Sequence, residues 1–106
     1  MAVQPVLRHI VLIQFTDAAR PQQIAEVGTA FRALATSIAA ITNLEWGHAV
    51  TGPNPYTHGL LVTFGSLADL EDYNNHPAHH ALSTRYGHLV QQLAVFDYWT
   101  AEPSGT

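Results

Sequence analysis

The chain has 106 residues, a net charge of −4 and no cysteine, so it is read as a single domain, 1–106, without disulfides, zinc fingers or thiol nucleophiles. Nearly half of it is apolar and only 11% is charged, a balance that calls for a ligand cavity or an oligomer interface to hide surface. Arg8, Arg20, Arg32 and Arg85 are its only basic residues apart from histidine. They form no basic stripe, which argues against a nucleic-acid partner. No stretch approaches the length of a membrane span and no leader pattern opens the chain. The expectation is a soluble cytoplasmic protein with no membrane partner.

The first element is RHIVLIQF (8–15), where His9, Val11, Ile13 and Phe15 share one face and Ile10, Leu12 and Gln14 the other. Pro21 suits the first turn of a helix, and Ile24, Val27, Phe31, Leu34, Ile38 and Ile41 recur at helical spacing. Gly28 lies on that stripe, where a missing side chain either permits close packing or leaves space. Alternation returns at 43–50, TGPNP (51–55) is turn chemistry, and YTHGLLVTF (56–64) is a strand with His58, Leu60, Val62 and Phe64 on one face. Ser66 and Asp69 form a capping-box start for a short helix. The helix should stop near Asn74–Asn75, and Pro77 should start another running to about Gln92. AVFDYWT (94–100) is the last strand and AEPSGT a loose tail. The order β-α-β-β-α-β defines an α+β, ferredoxin-like fold with a four-stranded antiparallel sheet. Helices on one face leave Leu12, Leu61 and Phe96 on the other, so two sheets should meet in a homodimer.

Chemistry concentrates in DYNNHPAHH (72–80). His79 falls in the first turn after Pro77, where the helix dipole disfavours imidazolium and keeps a base neutral. Tyr73 ends the preceding short helix and could hydrogen-bond a developing enolate oxygen. His9 and His58 start the first and third strands, expected to be parallel central neighbours that set two imidazoles side by side. Taken alone, each of these residues also fits an ordinary core role. His76 reads as a helix cap, His80 and His88 as solvent-facing helix positions, and His48 as structural. The rival reading is a metal held by His76 and His79, but Glu71 and Asp72 are the only acids at hand, and no metal site is assigned. No serine sits in a strand-turn-helix elbow, and GPNP does not cradle phosphate.

RHIVLIQF, Trp46–Gly47, YTHGLLVTFGS, DYNNHPAH and LAVFDY together resemble the stress-responsive dimeric α/β-barrel (Dabb) family, from about Arg8 to Tyr98. The resemblance implies a dimeric α/β barrel formed from two four-stranded sheets. It is most similar to the family's polyketide cyclases, which close a linear poly-β-keto chain by an aldol step without a cofactor. Carried over, His79 and Tyr73 are catalytic and His9 and His58 support them. An apolar pocket lined by Val11, Gly28, Phe31, Leu60 and Leu89 would hold a polyketide-like small-molecule substrate. The alternatives are a non-enzymatic stress or small-molecule-binding protein, and a cofactor-independent monooxygenase.

Overall fold

The computed structural model describes residues 5–100. Strand β1 (Val6–Phe15) leads through helix α1 (Pro21–Ser37) to β2 (Asn43–His48) and β3 (His58–Phe64). Helices α2 (Leu67–Asn75) and α3 (Pro77–Tyr86) follow, then a single 3-10 turn (Gly87–Leu89) and β4 (Val90–Thr100). The strands form one sheet in the order β2-β3-β1-β4, and each adjacent pair is antiparallel. The expected ferredoxin-like α+β architecture is present; the tail after Thr100 lies outside the described residues.

Alternation along β1 buries Leu7, His9, Val11, Ile13 and Phe15 beneath the helices, and Leu60, Val62 and Phe64 of β3 join them. Val27 and Leu34 of α1 close the core from above. The opposite face carries Leu12 and Phe96, 39% and 64% exposed. Ile10 lies there between its cross-strand partners Leu61 and Phe96.

Three expectations need correcting. The strands β1 and β3 are antiparallel: His9 faces Val62, and His58 faces Ile13. The two imidazoles share a face but lie at opposite ends of it, because reversing one strand exchanges its start and end. Helix α1 stops at Ser37, and Ile38 and Ile41 reach the core from the following turn. The chain must leave the helix there, since Thr42 N–H already donates to the Thr63 carbonyl of β3. Helix α3 stops at Tyr86 rather than near Gln92, and β4 begins at Val90 rather than Ala94. Ladder bonding decides this: Val90 pairs with Phe15, and Thr16 N–H donates to the Leu89 carbonyl.

Candidate active site

The α2–α3 junction is made by His76. It ends α2 with extended backbone and caps α3, its Nδ1 accepting from Ala78 N–H at 3.0 Å. Ser66 caps α2 in the same manner, accepting from Asp69 N–H. The extended residue between two helices redirects the chain so that Tyr73, in the last turn of α2, meets His79, in the first turn of α3. Their ring centroids are 4.6 Å apart at 59°. Phe64 and His9 pack on the same phenol at 5.3 and 5.8 Å.

Burial sets the protonation of this group. It pushes the Tyr73 phenol up to about 12, so the hydroxyl stays a donor. It also lowers His79 below the ordinary imidazole value, with His80 and His9 adding to the shift as neighbouring positive charges when protonated. His79 Nδ1 is buried without a hydrogen-bond partner among the described residues. His9 Nδ1–H donates to Asp97 Oδ1 across the β1–β4 ladder at 2.5 Å, which fixes the ring and leaves Nε2 outside that contact.

His9, Tyr73 and His79 line one cavity of about 560 Å3 between the sheet and helices α1 and α3. Val11, Ile13, Val27 and Phe31 give it apolar walls, and β4 forms its outer side with Leu93 and Val95. No helix covers that edge strand, so Leu93 and Val95 remain more than half exposed. The lining contains neither an amine nor a thiol.

Of the residues singled out from the sequence, His9, Tyr73, His79, Val11 and Phe31 meet in this cavity. His58 does not. It borders a separate hollow with His48, Asn54 and Thr57, and its Nδ1 shares a hydrogen bond with the Thr57 hydroxyl. Burial and the neighbouring His48 lower its proton affinity. Gly28 does not line the cavity either, and it leaves no space: a β-carbon there would stand 2.5 Å from the Trp46 indole nitrogen. Leu60 and Leu89 are buried core residues outside the lining. Sequence reasoning missed Asp97, Ser83 and Tyr86. Asp97 had a signal as an acid at an inward position of a strand. Ser83 and Tyr86 had one in helical periodicity, since His79, Leu82, Ser83 and Tyr86 follow the i, i+3, i+4, i+7 spacing of one face. No group of three or more metal-ligating side chains is assembled among the described residues.

The helix-covered antiparallel sheet agrees with the family resemblance. Residues 7–100 match the stress responsive A/B barrel domain family, and the chain belongs to it. Among its relatives, olivetolic acid cyclase of Cannabis sativa is 33% identical over 87% of this chain and 94% of its own length. The stress-response A/B barrel domain-containing protein HS1 of Arabidopsis thaliana is 30% identical over 87% of each. A ferredoxin-like protein of Bacteroides fragilis, described as dimeric and of unknown function, superposes with a TM-score of 0.76 at 26% identity. It covers 88% of this chain and 94% of its own. A hydroxynitrile lyase from Passiflora edulis shares the fold with a TM-score of 0.82 at 21% identity, covering 90% and 93%.

Proposed function

We propose that the protein is a cyclase or lyase that closes a linear poly-β-ketone into a ring by intramolecular aldol addition. The observation that carries the reading is the packing of His79 on Tyr73 at the wall of an apolar cavity. His79 removes a proton from a methylene flanked by two carbonyls. Tyr73 donates a hydrogen bond to the enolate oxygen, and the carbanion attacks a second carbonyl of the same chain. The resulting alkoxide takes the proton back from His79. His9, oriented by Asp97, turns its other ring nitrogen toward the substrate. Flanking carbonyls make the methylene acidic enough for an imidazole, so the chemistry calls for no cofactor. Holding the chain bent in the cavity supplies proximity. The 33% identity to a protein named as a cyclase supports this class of reaction.

The site as proposed contains no role for His58, which departs from the roles implied by family resemblance. A homodimer is part of the proposal: exposed Leu12 and Phe96 form an apolar outer face, and the Bacteroides fragilis relative is described as dimeric.

The test is incubation of the protein with a linear poly-β-keto thioester, with chromatography of the cyclised product as its acid after alkaline hydrolysis of the thioester. His79→Ala should lower kcat by about 10²–10⁴-fold while the circular dichroism spectrum is retained, the range expected for loss of a general base. Equal product formation by the variant would sink the assignment. A non-catalytic stress-related binding role, favoured by the relative named as a stress-response protein, predicts no cyclised product from either form.

A further inference from the structure

The second hollow, of about 420 Å3, shares no lining residue with the proposed active site. The active-site cavity follows the inner face of β1 from His9 through Val11 to Ile13. Those four residue steps span about 13 Å at the rise of an antiparallel strand. His9 marks the catalytic end, beside Tyr73. At the other end Ile13 pairs across the ladder with His58, which belongs to the second hollow.

The division is a column of three rings. Phe31 lines the first cavity and stacks on Trp46 at 5.6 Å and 21°. Trp46 stacks in turn on His58 at 5.5 Å and 27°. The indole borders neither hollow and is stacked between Phe31, which lines the first, and His58, which lines the second. It is also fixed in depth. The position of a Gly28 β-carbon would fall 2.5–2.9 Å from three indole atoms, so the ring is seated directly against the backbone of α1.

Resting on the cyclase reading, we propose that Trp46 is a specificity-determining partition that limits a substrate's tail, so that the protein takes poly-β-ketones with short tails and rejects long ones. The reacting carbonyls lie near His79 and Tyr73, and the tail runs along β1 toward Phe31. Removing the indole joins the two hollows and lengthens the path past His58.

The test uses resorcinols bearing a methyl, pentyl or undecyl chain, phenolic rings of the kind left when the aldol product of a poly-β-ketone loses water and its carboxyl group. Titration calorimetry on the intact protein should show binding of the methyl compound and at least tenfold weaker binding of the undecyl compound, a discrimination within reach of a shaped apolar pocket. Trp46→Ala should reverse that preference by improving affinity for the long tail, with the methyl compound little changed. Trp46→Leu retains apolar bulk and guards against misfolding, and it should give an intermediate ratio. Equal affinity of the wild type for all tails, or an unchanged ratio in both variants, would overturn the partition. So would a failure of every resorcinol to bind. Tail discrimination without turnover of a poly-β-keto thioester would sink the cyclase reading and leave the partition standing.

Discussion

His79 and Tyr73 are close in sequence, and the same burial drives their proton affinities apart: the imidazole down, the phenol up to about 12. For proton transfer this places both groups in the working state across neutral pH, one an acceptor and the other a donor. The acid limb of the pH profile of kcat/KM should therefore lie below the ordinary imidazole value of 6.5. No alkaline limb should arise from Tyr73 within the range where the protein is assayed. A rate profile from pH 5 to 10 checks both; an acid limb above 6.5 would remove His79 as the base. The folded protein binds a proton at His79 less readily than the unfolded chain does. Its contribution to stability is thus full above 6.5 and is lost as pH falls from there toward the folded value. His58 is shifted the same way and adds to that loss. The direction at His79 was expected from its place at a helix start, but its main cause is burial, which one sequence does not reveal; the tyrosine–histidine pairing itself was legible in DYNNHPAH.

Helix α1 meets strand β2 where Gly28 receives Trp46, and that contact decides the sign of a substitution. In a helix interior Gly→Ala normally stabilises by about 0.5–1 kcal/mol. Here the added methyl would strike an indole held between Phe31 and His58, so Gly28→Ala should instead destabilise by about 1–3 kcal/mol. Combined with Trp46→Ala, the same change should become neutral or stabilising. Urea unfolding of the two single variants and the double variant gives the coupling; simple additivity would show that Gly28 is not the seat of the indole. The helix starts were readable from local rules: Pro21, the Ser66 cap and the His76–Pro77 break all stand where expected, while the ends of α1 and α3 do not. What local rules could not supply was pairing. The antiparallel β1–β3 register, which parts His9 from His58, and the early start of β4 at Val90 are set by ladder partners far away in the chain. Without that register the cross-strand contact between His9 and Asp97 was equally invisible.

The whole chain presents two unlike surfaces, a helical layer over the cavity and a bare sheet face carrying Leu12 and Phe96. If the bare faces of two copies meet, a charge placed there should separate them without touching the site. Phe96→Asp is expected to convert a dimer to a monomer in sedimentation equilibrium while the far-ultraviolet spectrum holds. A monomeric wild type would defeat the proposal directly. The exposed apolar face was legible in β1, since a strand apolar on both sides announces burial on both, whereas the antiparallel pairing of β1 with β3 was not. The composition of the cavity wall has a separate consequence. Ketones are captured readily by primary amines and thiols, yet this chain has no lysine or cysteine side chain to offer either. A reactive polyketone held against Val11, Phe31 and Leu82 therefore meets walls that cannot form an imine or a thiohemiketal with it. On the proposed cyclase reading, the most reactive partner left to each carbonyl is the activated methylene of its own chain, so the cavity would favour ring closure partly through the nucleophiles it withholds.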